Sequence, residues 1–549
     1  MKQIDIIKTY SQKRCLIVDD NPDVRTSLKR ILVDFGCNDV DTAGHGDEAI
    51  ELSERHHYDI VLADYNLGNG KNGQQLLEEL RYQSLLKNTS IYIMITAESA
   101  VQHVIHALQF QPDDYLHKPI QKESLRPRLD AILLKNEALI EVKEALDQRQ
   151  LNSAVKACRK LLEKDSKHHN DVNKMLGELL CQQGLFEQAL KIYSHAPTNK
   201  VALWKQLGQA KSYIGLEKYD QAKQLLLQII EDNQYCVDAY DLLAQVYEAN
   251  KKYGQAQEAL ATAIKISPIS APRQREMGRV CLHTGDNNVA AHAYRAAVKY
   301  SKNSCQEMPE DYTNLAHALS ITLPKASDPQ AMISEAFDTL RQLEKKYGKQ
   351  LIAKVRRLLI EADLHRFTGK QQQAEQADEA ALQAFENIKF SVVDNTSAQL
   401  SINCAKALME RGRYDEGERL LQELAQRNNN PRLAINIDKL LREPITKEGI
   451  AYAAKLNKQG INFHKKNQFD KAVASFQQVL DELPNHIGLN LNLIQSSISK
   501  SNDVPLNSKE LSLIGSSFQR IGEIPEGSPY KQRYDYLIKR YQKLAQSKA

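Results

Sequence analysis

Four short, largely apolar runs mark the first quarter of the chain, and each ends on polar side chains. They are Cys15–Val18, closed by Asp19 and Asp20; Ile60–Ala63, closed by Asp64; Ile93–Ile95, closed by Thr96; and Asp114–His117, closed by Lys118 and Pro119. Continuous apolar runs of this length are the pattern of parallel strands covered on both faces. Ligands of open α/β sheets bind beyond the carboxyl ends of such strands. The pattern therefore predicts a doubly wound parallel sheet with three carboxylates, one hydroxyl and one ammonium gathered at one edge. Past about residue 135 the apolar positions recur with helical period instead, and the segment from Ser124 to Leu139 is amphipathic with Pro127 in its first turns. No flexible linker interrupts this change.

The helical part repeats itself. Tyr240, Leu243, Ala244, Tyr247, Tyr253, Ala256, Leu260, Ala263 and Pro268 are followed by Met277, Gly278, Cys281, Ala290, Tyr294 and Ala297 in the same places. Gly278 follows Ala244 by 34 residues and Ala290 follows Ala256 by 34. That period and pattern resemble the tetratricopeptide repeat, a helix–turn–helix unit that stacks into a solenoid. Small residues at two positions let the helices of a hairpin cross closely, and large ones fill the space between hairpins. Other copies show Gly177, Gly184, Phe186, Ala189 and Tyr193, and then Gly460, Phe463, Phe469, Ala472, Phe476, Val479 and Pro484. Trp204, Leu207, Gly208, Tyr219 and Ala222 read as a copy with about two extra residues in its turn. Weaker copies centre on Tyr312, Ala362 and Ala405, and a degenerate first one holds Val142, Leu151, Ala154 and Cys158.

The polar residues closing the strands resemble the phosphoacceptor site of two-component response regulators, that is, a CheY-like receiver of flavodoxin-like fold. The spacings fit: 44 residues from Asp20 to Asp64, 32 to Thr96 and 22 more to Lys118. The resemblance implies that Asp64 accepts phosphate and that Asp19, Asp20, Asp64 and the Asn66 carbonyl hold Mg²⁺. It further implies that Lys118 and Thr96 contact the phosphoryl oxygens, with Thr96 and Tyr115 as the switch. Asn66 and Glu98 stand where water reaches the phosphoryl group, a pair similar to that of chemotaxis receivers with short-lived phosphate. One departure is Gln111-Pro112, where the family carries Gly-Ala before the last strand.

Charge narrows the function further. With 73 basic and 69 acidic residues the net charge is +4, too slight to imply nucleic-acid binding, and no helix-turn-helix pattern follows the sheet. The segment from Met1 to Arg14 is polar, and Ile91 to Ala97 is too short to span a bilayer. Eight cysteines without a C-x-x-C pair fit a reducing compartment, so a cytoplasmic location is expected.

The expected organisation is a tail over 1–12, a receiver over 13–134, a solenoid of about nine repeats over 135–500 and a helical cap over 501–549. The expected function is that of a non-enzymatic regulator. Its Asp64 is charged by a sensor histidine kinase or phosphotransfer protein, and its repeats bind a protein partner. The alternative is a phosphate sink or modulator of a kinase or second regulator. Lys205, Gln209, Asp241, Gln245, Arg275 and Arg279 are polar on the first helices of their hairpins and are the candidate lining of a partner groove. Arg275 and Arg279, one turn apart, are the candidate grip for a partner carboxylate.

Overall fold

The apolar runs pair into one sheet because each is too apolar to face water on either side. A computed structural model describes residues 6–68, 70–97, 112–163, 168–195, 202–388, 395–410, 413–427, 431–501, 505–522, 524 and 527–546. The strands are β1 (Arg14–Val18), β2 (Asp39–Ala43), β3 (Ile60–Asp64), β4 (Ile91–Thr96) and β5 (Asp114–His117). They are parallel and lie in the order β2-β1-β3-β4-β5, with Val18 opposite Ala63, Asp64 opposite Ile95 and Thr96 opposite His117. The order reverses between β1 and β3, so a crevice opens at their carboxyl ends.

The period of two along each strand divides the core into two layers. Cys15, Ile17, Ile60, Leu62, Ile93 and Ile95 pack with α2 (Pro22–Phe35) and α5 (Lys122–Ala138). Leu16, Val18, Val61, Ala63, Tyr92 and Met94 pack on the other side with α3 (Gly46–Arg55) and α4 (Gly73–Tyr82). The first twelve residues are not only a tail. Helix α1 (Ile6–Ser11) buries Tyr10 in the first layer, where its hydroxyl donates to Asp130 at 2.8 Å and its ring meets Phe35.

The junction is short and stiff. Helix α5 runs through residues 134 and 135 unbroken and passes through Leu139 alone into α6 (Ile140–Asp147). Pro127 is the sixth residue of α5, so it lies past the first turn, where it removes one helical hydrogen bond. Asn136 ties the junction down by donating to the Thr89 carbonyl and accepting from Lys143. Asp147 accepts from the Asn88 backbone at 2.6 Å and from its side chain at 2.8 Å.

Helix pairs follow, among them His169–Gln182 with Phe186–His195, Leu203–Gly215 with Tyr219–Asp232, Val237–Ala249 with Tyr253–Ile266 and Ala271–Thr284 with Asn287–Ser301. Close crossing explains the small residues. A Cβ at Gly278 would meet the Tyr294 ring at 2.7 Å, and Gly460 leaves the same room for Phe476. The pair over 203–232 has no insertion in its turn, because residues 216–218 match 250–252 in length. Its small crossing residue is the fully buried Ala210, which stands 34 before Ala244. Gly208 instead joins Gly177 in making room for the ring of Tyr193. By chain contacts the molecule forms two compact units, Met1–Gly348 and Lys349–Ala549. The sheet, the junction and the pairs named above except Gly460 with Phe476 all belong to the first. No described helix is long and apolar enough to cross a membrane.

Candidate functional site

Strand ends deliver the acidic groups to one place. Asp64 is the last residue of β3 and Asp19 directly follows β1; both are buried, while Asp20 is exposed beside them. Ligand oxygens of the three carboxylates lie within 4.8 Å of one another. Local structure fixes Asp19 tightly. The Asn21 amide donates to Asp19 Oδ1 at 2.9 Å, Arg25 donates to the Asp19 carbonyl at 2.5 Å, and Asn21 itself caps α2. Neither Asn21 nor Arg25 was singled out by the strand-end pattern, although Asn21-Pro22 carries the usual helix-start signal.

Lys118 completes the cluster from beyond β5. Its Nζ donates to Asp64 Oδ2 at 2.6 Å and to Asp19 Oδ2 at 2.7 Å, and its backbone amide donates to the Thr96 carbonyl at 2.8 Å. Burial pushes the Asp64 carboxyl above its usual range; Lys118 opposes this and the Asp19 charge adds to it. Burial pulls the Lys118 ammonium down, but hydrogen bonds to Asp19 and Asp64 outweigh that and hold it protonated. Such a site stores negative charge against a fixed cation and offers hard oxygen donors, the donor set a small divalent cation takes.

Thr96 closes β4 and is buried. Tyr115 is half-buried against the Leu16–Met94 layer, edge-on to His117 with ring centroids 5.6 Å apart. Asn66 is exposed at the rim, its amide 3.4 Å from Asp64 Oδ1. Glu98 and Gln111 lie outside the described residues. The loop after Asp64 returns so closely that a Cβ at Gly73 would strike the Asp64 carbonyl oxygen. The Gly73 amide donates to the Tyr65 carbonyl at 2.9 Å, and the buried Tyr92 hydroxyl donates to the Gly73 carbonyl at 2.6 Å. Helix α4 therefore starts against the backbone of Asp64.

The candidate groove residues need correction. Arg275 is engaged within the fold: it pairs with the fully buried Asp311 through Nε at 2.5 Å and Nη2 at 2.8 Å, and donates to the Gln306 carbonyl. Arg279 pairs with Glu248 and Glu276, and Asp241 with Arg273. These arginines already hold carboxylates of the fold and tie adjacent hairpins together. Because Ala210 aligns with Ala244, Lys205 and Gln209 are out of register by two; Leu207 and Lys211 occupy the places of Asp241 and Gln245.

Residues 15–130 match the response regulator receiver domain family. Residues 147–229 match anaphase-promoting complex, cyclosome, subunit 3, and 207–271 match the tetratricopeptide repeat. The chemotaxis protein CheY-3 of Vibrio cholerae is 34% identical over 119 residues, which are 22% of this chain and 90% of that protein. CheY1 of Helicobacter pylori is 34% identical over 125 residues, 23% of this chain and 99% of its own. A CheY-like receiver structure from Methanospirillum hungatei is 28% identical, covers 23% of this chain and 96% of that one, and has a TM-score of 0.21. The matched stretch spans the strands whose ends carry Asp19, Asp64, Thr96 and Lys118, and it ends within α5, ahead of the helical repeats. In its first quarter, then, the chain belongs to the response regulator receiver family, and tetratricopeptide repeats follow that receiver.

Proposed function

We propose that this protein is a phosphorylation-controlled adaptor in a two-component pathway. The single observation that carries the reading is Lys118 held 2.6 Å from Asp64 and 2.7 Å from Asp19 at the mouth of the sheet. An Asp64 oxygen attacks phosphorus on the phosphohistidine of a sensor kinase or phosphotransfer protein. The P–N bond breaks, the imidazole leaves with its electron pair, and an acyl phosphate forms on Asp64. Lys118 faces one phosphoryl oxygen and the Thr96 hydroxyl another. Asp19, Asp20 and Asp64, with the Asn66 carbonyl, would hold Mg²⁺, which would further neutralise phosphoryl charge. Tyr115 follows the movement of Thr96, and Asn66 with Glu98 sets how readily water removes the phosphate.

The output is contact rather than chemistry: the repeats bind or release a protein in the cytoplasm according to the state of the receiver. Near-neutral charge and the lack of a helix-turn-helix pattern in the sequence speak against DNA as the target. The test is incubation with labelled acetyl phosphate and Mg²⁺. Label is expected on wild type and absent from Asp64→Asn; label that persists in that variant overturns the reading. Pull-down with and without beryllofluoride, a phosphoryl mimic, then tests the output. A partner whose capture does not depend on the mimic contradicts control by the receiver.

A further inference from the structure

The receiver touches the solenoid at a second place, far along the chain from the junction. Helix α4 presents Glu78, whose two carboxylate oxygens are both occupied: Gln74 donates at 2.9 Å and Gln306 at 2.5 Å. Gln306 belongs to the loop between helices Asn287–Ser301 and Pro309–Thr322, which is 228 residues away in sequence. A longer contact runs from Gln75 Nε2 to the Lys302 carbonyl at 3.5 Å. Receiver and loop lie in the same compact unit.

Both sides of this contact are braced. On the receiver side, α4 begins against the Asp64 backbone at Gly73 and is pinned by Tyr92, which places Glu78 on a helix packed directly against the phosphoacceptor strand. On the solenoid side the loop is held in shape. Arg275 takes the Gln306 carbonyl while gripping Asp311, Glu307 accepts from Tyr312 and from Lys346 at 2.5 Å, and Ser301 donates to Asp311 at 3.0 Å. Cys305 sits in this loop half-buried, its thiol pushed up to about 11 by burial and then by the carboxylates of Glu78 and Glu79. Burial also raises the Glu78 carboxyl, against the lowering effect of its two amide donors.

We propose that the loop over 302–307 is an intramolecular latch on the receiver, closed through Gln306 and Glu78, which phosphorylation of Asp64 releases. The release direction is part of what is proposed: if phosphate on Asp64 favours an arrangement in which α4 is displaced, closing the Gln306–Glu78 contact disfavours phosphorylation by the same factor. Release frees α4 and the loop face of the solenoid together, so the latch supplies a route by which the receiver acts on the repeats. This signalling role rests on the function proposed above; the contact itself does not.

Native Cys305 reports on the latch without any introduced probe. Iodoacetamide alkylation of full-length protein, followed by peptide mass spectrometry, is expected to be slow at Cys305 in wild type. Loss of a hydrogen bond to a carboxylate should accelerate it by about tenfold in Glu78→Ala and in Gln306→Ala. Cys181, which is also incompletely buried but lies away from the loop, serves as the internal control and should not change. An unchanged Cys305 rate in both variants overturns the contact. Beryllofluoride with Mg²⁺ should raise the Cys305 rate in wild type but not in Asp64→Asn; no change in a wild type that takes up label from acetyl phosphate overturns the release. Failure of Asp64 to label at all instead removes the function proposed above, and the two latch variants still decide the contact.

Discussion

One ammonium, that of Lys118, holds two buried carboxylates at once, Asp64 at 2.6 Å and Asp19 at 2.7 Å. Removing it leaves the like charges of two buried carboxylates facing each other. Lys118→Ala is expected to destabilise the receiver by about 3 kcal/mol in EDTA, since an uncompensated buried charge is costly. Excess Mg²⁺ should restore much of this, because the carboxylate ligands remain. Thermal melts with and without the cation check both statements.

The state of Asp64 predicts a pH dependence. Burial raises its carboxyl above the unfolded value, with Lys118 opposing and Asp19 assisting. A group raised in the folded state contributes stability that is fully present below its unfolded pKa and lost as pH rises through its folded pKa. Metal-free Asp64→Asn should therefore melt above wild type at neutral pH, and the difference should vanish in acid. The pair of Lys118 with Asp19 survives the substitution. Equal melting at neutral pH contradicts a strained carboxylate.

Arg275 and Arg279 separate by burial. The Arg275 side chain is 16% exposed and faces a fully buried Asp311, whereas Arg279 is 39% exposed. Arg275→Ala should cost about 3 kcal/mol, and Arg279→Ala under about 1 kcal/mol after allowance for solvent screening. Urea titrations of the two single variants compare them directly. Replacing both by Glu is thus a test of folding before it is a test of partner binding.

The turns between paired helices use one left-handed residue each: Gly184, Glu217, Lys251, Gly285 and Asn467 all have φ between 57° and 78°. A Cβ at Gly285 meets nothing within 4 Å. Gly285→Ala thus isolates the backbone cost and should lower stability by about 1 kcal/mol. A calorimetric melt that does not move contradicts the assignment of strain to this turn.

The sequence by itself determined what depends on local pattern. Continuous apolar runs placed Asp19, Asp64, Thr96 and Lys118 at one sheet edge, because such runs must be covered on both faces as parallel strands and parallel strands all end at the same edge. The 34-residue recurrence of Ala244 and Gly278 identified the repeats, because a small residue there admits a large side chain of the paired helix, as Gly278 admits the Tyr294 ring. What the tertiary structure decided was the assignment of polar groups whose partners are distant in the chain. Arg275 reads as a groove residue until Asp311 is found beneath it, and Gln306 and Glu78 share no local signal at all. Gly208 looked like the crossing residue of its hairpin until Tyr193 occupied it and left Ala210 in that role. Charges and amides are recognised by what they touch, and contact between residues 228 apart is fixed only by the packing of everything between them.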